Sequence, residues 1–350
     1  MEGLLIAVFV LGYLAITLEH PIKIDKAASA MITGVLCWTI YVTSDADYHE
    51  VTHQLETHLG EISGILFFLL GAMTIVELID AHDGFEILTD RIKTTDKRKL
   101  LWLTCFITFF LSAALDNLTT TIVMVSLIRK LIDDKDDRLF FAGLIVVAAN
   151  AGGAWSPLGD VTTTMLWIGG QITALNIVLM LIIPSLICLL APLLLISPRM
   201  KGHVTTPERV NGNNVVTPRN ERNTVFMLGI GCLMFVPVFK TLTHLPPFMG
   251  MLLGLGVMWV VTELIHSDKD ARDKGPFSVL HALRKIDTPS ILFFLGILMA
   301  VAALQSTGLL ATVAAWLDRT VHNLTPIGLI IGFLSALVGN VPLVGAAQGV

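Results

Sequence analysis

Residues 150–164 read NAGGAWSPLGDVTTT and lie inside a long apolar segment, 139–168. Three glycines permit unusual backbone angles and Pro157 has no amide hydrogen, so a helix here is expected to unwind between Asn150 and Asp160. The apolar residues on either side are too few for two separate spans, which need about 20 residues each. A simple loop between two helices is therefore the weaker interpretation, and the sequence predicts a broken helix inside a membrane.

The composition of the whole chain agrees with a membrane protein. Of its 350 residues, 54% are hydrophobic and 15% are charged, whereas soluble domains are about 45–50% apolar and about 25% charged. The net charge of -5, with no large basic block, argues against nucleic acid as a partner. We therefore expect an all-α polytopic protein whose partner is the lipid bilayer. The apolar segments are 4–18, 27–43, 61–80, 100–128, 139–168, 173–197, 223–239, 247–265, 289–307 and 326–350.

Segment 100–128 is also interrupted, by Asp116-Asn117, and is predicted to be a re-entrant hairpin. If it enters and leaves on one side while every other segment crosses, 21 of the 23 Lys and Arg residues fall on one face, and only Lys240 and Arg319 on the other. Cytoplasmic connections carry an excess of Lys and Arg. This arrangement therefore places the crowded face in the cytoplasm and the N-terminus outside.

The two halves of the chain resemble each other. ILFFL at 65–69 recurs at 291–295, and SAALDN at 112–117 recurs as SALVGN at 335–340. Inverted repeats with broken helices are the layout of many secondary transporters. We predict a first repeat at 1–197, a cytoplasmic linker at 198–222 and an incomplete second repeat at 223–350, with an extracellular-side hairpin from 326. The second broken helix would fall beyond Val350, so the chain is expected to be a C-terminally truncated version of a longer protein.

Polar residues in the two interrupted segments are candidate ion ligands. A carboxylate such as that of Asp116 costs roughly 2.5–3.5 kcal/mol in the middle of a membrane helix, and such residues are generally functional. A polar hinge that satisfies its own backbone is the weaker explanation. Hard cations such as Na⁺ prefer oxygen ligands. The predicted ligands are Ser112, Asp116, Asn117 and Thr119 in the hairpin, and Asn150, Ser156, Asp160 and Thr162 in the broken helix.

Carboxylates in such a site can hold either a cation or a proton. Asp116 or Asp160 is expected to carry the coupling proton, and Glu77, near the end of span 61–80, is a further candidate for the proton path. The pattern predicts an antiporter in which one site holds Na⁺ or H⁺ but never both.

A different chemistry is indicated by His49-Glu50-Val51-Thr52-His53, which matches the HExxH pattern of zinc proteases. It lies in the short extracellular connection 44–60, with no domain to form a substrate cleft. A helix on the membrane surface is therefore favoured over a protease. His53, His58 and Glu61 are alternatively candidates to sense pH or to guide ions at the extracellular mouth.

Four motifs together resemble the NhaD-type sodium/proton antiporters of the ion transporter superfamily: SxxxDNLTTT at 112–121, NAGGAxSPxGDVTTT at 150–164, ELIDAH at 77–82 and NVPLV at 340–344. The resemblance implies exchange of Na⁺ or Li⁺ for H⁺ in a bacterial inner membrane, without a cofactor. It also implies a homodimer with a scaffold part and a moving transport part. By position it adds Ser335 and Asn340 to the ion-binding residues. The family usually has Asp-Asn-Val-Pro there, whereas this chain has Gly339 in place of the Asp.

Two alternatives stay open at this point. The first is an anion carrier of the same superfamily, for dicarboxylates or arsenite, in which replacing Asp116 and Asp160 by Asn should leave transport intact. The second is the membrane zinc protease that uses His49, Glu50 and His53.

Overall fold

A computed structural model describes residues 2–44, 47–89, 92, 94–205, 218–268 and 275–312, with a few isolated positions beyond. Ser335, Gly339 and Asn340 of the predicted second hairpin lie outside the described residues. In the described part, helices account for all regular structure apart from short 3₁₀ turns and one isolated bridge between Asp96 and His203. The helices are α1 Glu2–Thr17, α2 Glu19–Ile22, α3 Lys26–Val42, α4 Tyr48–Ala81, α5 Glu86–Thr89, α6 Lys97–Ser112, α7 Asn117–Leu131, α8 Lys135–Ala154, α9 Val161–Ile168, α10 Ala174–Ile196, α11 Arg219–Thr243, α12 Pro247–Ile265, α13 Val279–Lys285 and α14 Thr288–Ser306.

The helices confirm the predicted fold class, an all-α polytopic membrane protein. Within the described ranges, α4, α8, α10, α11, α12 and α14 are long and apolar enough to cross a membrane, and α1 and α3 are slightly shorter apolar helices. Segments 100–128 and 139–168 each form two helices, as predicted.

Helix α4 corrects the prediction for residues 44–60. The helix is continuous over 34 residues, about 51 Å at 1.5 Å per residue, whereas the bilayer core is about 30 Å thick. The segment predicted as a separate surface helix is therefore the N-terminal extension of the helix that contains span 61–80. Hydropathy detects only the apolar part of such a helix, while polar residues without proline continue it.

The described chain forms two compact units. Unit 1 consists of Met1–Leu69 and Asp287–Val350, and unit 2 of Leu70–Ile286. This division by contact differs from the predicted division into repeats at 1–197 and 223–350, which it does not test.

In unit 1, α3 and α14 run parallel in close contact. A Cβ added at Gly34 would lie 2.6 Å from the Gly296 carbonyl oxygen, and one added at Gly296 would lie 2.5 Å from the backbone of Ala30. Further along the same two helices, the Trp38 indole N–H donates to the Met299 carbonyl (2.9 Å). Small residues allow the two backbones to approach this closely. Such contacts are common between membrane helices, because the hydrophobic effect does not drive helix association in lipid and close packing takes its place.

We expect Gly296→Ala to destabilise unit 1 by about 1–3 kcal/mol, because the added methyl group has only backbone atoms as neighbours. The matched control is Gly256→Ala in α12, a helix of the same 19-residue length, where a Cβ would meet nothing within 4 Å. Thermal unfolding in detergent should show a lower Tm for the first variant alone. Equal Tm values for the two variants would contradict this account of the α3–α14 contact.

In unit 2, the α6–α7 hairpin returns to the end at which it starts. The Lys97 N–H, at the start of α6, donates to the Gly202 carbonyl (3.1 Å), and the Asp133 N–H, just after α7, donates to the Thr205 carbonyl (2.8 Å). Both ends of the hairpin thus bind one short segment, 202–205. Helices α6 and α7 therefore form a hairpin, while its re-entry from the cytoplasmic side of a membrane stays a prediction.

Helix α8 forms the centre of unit 2. It begins beside the start of α6, where Lys97 Nζ and Asp137 Oδ2 lie 2.6 Å apart. It then packs against α6, α7 and α10. The side chains between these helices are fully buried and apolar, among them Phe109 of α6, Met124 of α7, and Phe141 and Ile145 of α8. This core brings the tip of the hairpin to the end of α8.

Candidate functional site

The hairpin tip crosses the α8–α9 break with the two backbones in contact. A Cβ added at Gly152 would lie 2.2 Å from the Phe109 carbonyl oxygen, and one added at Gly159 would lie 2.2 Å from the Ser112 carbonyl oxygen. Real side chains do not come this close. Two hydroxyls connect the two chain segments that cross. The Ser112 hydroxyl donates to the Ala149 carbonyl (2.6 Å), and the Ser156 hydroxyl donates to the Ala113 carbonyl.

The break is shorter than the predicted one. Helix α8 continues to Ala154, so the prediction that it unwinds from Asn150 was wrong, and only Trp155–Asp160 is irregular. Neither Gly152 nor Gly153 has a positive φ. Gly152 instead allows the close approach to Phe109 of α6, and Gly153 the close approach to Gly159 in the break; sequence alone does not distinguish these uses from a turn.

Each of the short helices that leave the crossing begins with an aspartate. The Asp116 carboxylate caps α7 and accepts hydrogen bonds from the Thr119 N–H (2.8 Å) and the Thr119 hydroxyl. The Asp160 carboxylate caps α9 and accepts from the Thr162 N–H (2.8 Å) and the Thr162 hydroxyl. Both negative charges therefore lie at the positive end of a helix dipole.

Asn117 connects the two halves of the site. Its side-chain amide donates to Asp160 Oδ2 (2.6 Å) and to Asn150 Oδ1 (3.0 Å), and the Asn150 amide donates in turn to the Val146 carbonyl (2.8 Å). Asn117 of the hairpin thus meets Asn150 and Asp160 of the broken helix in one network.

Burial is uneven at this site, since Asn150 is exposed and Asn117 is half-buried. Asp160 is 7% exposed, Ser156 is 6% exposed and Ser112 is fully buried. The Trp155 ring stacks on Phe109 with their centroids 5.9 Å apart. In such a setting a carboxylate charge is costly unless a positive charge or hydrogen bonds compensate it.

Two threonines that were not predicted stabilise the break. The Thr163 hydroxyl donates to the Ser156 carbonyl and the Thr164 hydroxyl to the Pro157 carbonyl, both at 2.8 Å. They satisfy backbone oxygens that the unwound segment would otherwise leave without partners. The run of threonines after Asp160 was a signal that could have identified them.

Lys240 was also missed as a contributor to this region. Its ammonium donates to the Trp167 carbonyl (2.7 Å) in the last turn of α9 and lies 4.6 Å from the centre of the Trp167 ring. A cation at the C-terminal end of a helix is favourable. The available signal was a single lysine at the end of an apolar segment.

The other predicted residues lie elsewhere. Glu77 forms an ion pair with Lys285 (3.0 Å). His58 lies 3.5 Å from Glu61, whose side chain is 71% exposed, and His53 is exposed one turn earlier.

The HExxH residues His49, Glu50 and His53 are exposed on the same extension of α4. No three His, Cys, Asp or Glu side chains in the described part of the chain form a group that could hold a metal ion. Nothing in the geometry favours a protease.

Comparison with known proteins identifies a transporter family. The family model described as citrate transporter, CitMHS, matches residues 4–349. Sodium/proton antiporters 1 and 2 of Arabidopsis thaliana are 46% and 45% identical over 97% of this chain. The Na⁺/H⁺ antiporter NhaD of Alkalimonas amylolytica is 30% identical over 97% of the chain. The chain spans 59%, 81% and 75% of the lengths of these three relatives.

These matches extend over nearly the whole chain and agree with the membrane helices and with the motifs at 112–121 and 150–164. The chain therefore belongs to the CitMHS family of membrane transporters and, within it, to the NhaD-type sodium/proton antiporters.

Proposed function

We propose that the chain exchanges Na⁺ or Li⁺ for H⁺ across a membrane, and that the ions compete for the Asp116 and Asp160 carboxylates. One observation carries the proposal: the N-termini of both half-helices are already capped by carboxylates of the chain itself. In transporters of anions, such N-termini point at the substrate. Here an N–H group of each half-helix, that of Thr119 and that of Thr162, is bonded to a carboxylate, and the carboxylate oxygens suit a cation. The names of the relatives as sodium/proton antiporters support the same conclusion.

The proposed ligands come from both sides of the crossing. Those on the hairpin are Ser112, Asp116, Asn117 and Thr119, and those on the broken helix are Asn150, Ser156, Asp160 and Thr162. Asp160 is almost fully buried and accepts hydrogen bonds from Asn117 and Thr162, and a Na⁺ ion or a proton would neutralise the charge that those bonds only stabilise. A carboxylate that holds a proton attracts Na⁺ less, so the two ions would compete. Na⁺ and H⁺ are the substrates, and the proposal requires no cofactor.

Further parts of the proposal extend the site. Ser335 and Asn340 would complete it from the second hairpin. Asp116 and Asp160 remain the first candidates for the coupling proton. Glu77 is a weaker candidate, because its ion pair with Lys285 already compensates its charge. His53, His58 and Glu61 would lie at the extracellular mouth.

We also propose that the chain is a homodimer in a bacterial inner membrane, with the N-terminus outside. The orientation is supported by ion pairs at the base of unit 2, where Glu86 lies 2.8 Å from Lys130 and 3.6 Å from Arg222. These residues come from connections that the count of Lys and Arg assigns to the cytoplasm. Reporter fusions at Lys130 and at Leu245 should report opposite sides, and chemical cross-linking in membranes should give a dimer.

The function is tested with the purified chain in proteoliposomes that contain a pH-sensitive dye. An imposed Na⁺ gradient should drive proton flux in the opposite direction, and the double variant Asp116→Asn/Asp160→Asn should abolish it. Absence of Na⁺-driven proton flux in the unmodified chain would disprove the proposal.

The description of the family as citrate transporter keeps anion transport as the second candidate. An anion carrier has no need of two acids that repel its substrate. Citrate uptake into the same vesicles, unaffected by the double variant, would establish this alternative. We expect no citrate uptake, because the capped N-termini leave few donors for a carboxylate substrate.

A further inference from the structure

Thr120 presents a hydroxyl that the site described so far does not use. Its side chain is fully buried, yet its Oγ1 has no hydrogen-bond partner among the described residues. Buried hydroxyls are almost always paired, because loss of hydration without a partner is unfavourable.

Other threonines in comparable positions do find partners. A helical threonine commonly donates to the carbonyl four residues earlier. Thr108 does so to the Thr104 carbonyl (2.7 Å), and Thr121, the next residue after Thr120, does so to the Asn117 carbonyl (2.7 Å). The same partner for Thr120 would be the Asp116 carbonyl, which accepts only the Thr120 N–H (3.0 Å) among the hydrogen bonds found. The Thr120 hydroxyl therefore lacks the partner within its own helix that Thr108 and Thr121 have.

Thr120 lies on the face of α7 that carries the ion-binding residues of the hairpin tip. Residues three and four apart share one face of a helix, so Thr120 lies one turn after Asp116 and Asn117 on their side of α7. Leu118 and Ile122, on the other face, are 52% and 61% exposed. Asn117 reaches Asp160 and Asn150 from the same face.

We propose that the Thr120 hydroxyl is a ligand of the transported cation at the hairpin tip. Its oxygen would stand beside those of Asp116 and Asn117, and the cation would supply the partner that the protein lacks. The assignment rests on the proposed cation transport and adds to it a residue one turn deeper along α7.

The test uses Thr120→Val, which removes the hydroxyl and keeps the shape of the side chain. If the hydroxyl binds the cation, the apparent KM for Na⁺ should rise about tenfold, as expected for the loss of one ordinary polar contact. The rise in Tm that NaCl produces over choline chloride at equal ionic strength should shrink. In choline chloride alone, Thr120→Val should melt at or above the temperature of the unmodified chain, because an unpaired buried hydroxyl has been removed.

Two further variants make the result specific. Thr120→Ser should keep the KM and the Na⁺-dependent shift. Thr108→Val, in which a buried but paired hydroxyl is removed, should also leave both unchanged. An unchanged KM and Na⁺ shift in Thr120→Val, or an equal change in Thr108→Val, would overturn the assignment while cation transport stands. Absence of any Na⁺ shift or exchange in the unmodified chain would overturn the proposed function together with this ligand.

Discussion

Gly152→Ala is expected to abolish Na⁺-driven proton flux, whereas Gly143→Ala in the same helix leaves it intact. The added methyl group at Gly152 would lie 2.2 Å from the Phe109 carbonyl oxygen and 2.8 Å from the Phe109 Cα. Because these neighbours are backbone atoms, α6 and α8 must move apart. Ser112 and Asn117, which follow in the hairpin, would be carried away from Ala149 and Asp160.

The control rests on an opposite local environment. A Cβ at Gly143 would meet nothing within 4 Å, and alanine favours a helix interior by roughly 0.5–1 kcal/mol over glycine. Gly143→Ala should therefore raise the Tm slightly, and Gly152→Ala should lower it. Flux per molecule of folded protein is the decisive measurement in proteoliposomes. Normal flux in Gly152→Ala would show that the site does not depend on close contact between the broken helices.

Asp160→Asn is the second substitution with a large expected effect. Asparagine caps a helix about as well as aspartate, so the start of α9 should persist while the negative charge is lost. Without that charge, the side chain no longer attracts Na⁺ and no longer takes up a proton. We therefore expect Na⁺- and Li⁺-driven proton flux to fall to the level of empty vesicles. The measurement is dye fluorescence after an imposed Na⁺ or Li⁺ gradient.

Asp134→Asn separates the role in transport from the role as a cap. Asp134 caps α8 with the same type of bond, accepting from the Asp137 N–H (2.8 Å), but it is exposed at the base of unit 2. Its replacement should leave flux unchanged. Loss of flux in both variants, or in neither, would refute the role assigned to Asp160.

Local sequence predicted that both elements are broken, because a charge, a glycine or a proline in an apolar segment acts on the helix at its own position. The pair Asp116-Asn117 marked the tip of the hairpin, and the distribution of Lys and Arg gave its return to one side. The start of α4 was missed because hydropathy detects only the apolar residues that lie in the membrane, whereas the helix begins in polar residues before them. The extent of the break was overestimated since Gly152 and Gly153 allow close backbone contacts, with Phe109 and with Gly159, rather than a turn.

The hydrogen bonds between the hairpin and the broken helix could not be predicted from local sequence patterns. Ser112 was predicted from its spacing to Asp116, but its hydroxyl bonds to Ala149, 37 residues away. Asn117 meets Asp160 across 43 residues. Such contacts depend on how α6, α7 and α8 pack. Thr120 stood in the predicted motif, and only its burial without a partner distinguishes it from its neighbours.

The capping aspartates have a consequence for the cycle of exchange. A charged carboxylate is a stronger hydrogen-bond acceptor than a protonated one. In the proposed exchange, bound Na⁺ would leave Asp116 and Asp160 charged and their caps intact, whereas a bound proton would weaken the bonds to the Thr119 and Thr162 N–H groups. The first turns of α7 and α9 would then be held more firmly with Na⁺ bound than with a proton bound. Through the proposed exchange, the identity of the bound ion would determine the local rigidity of the helices that surround it.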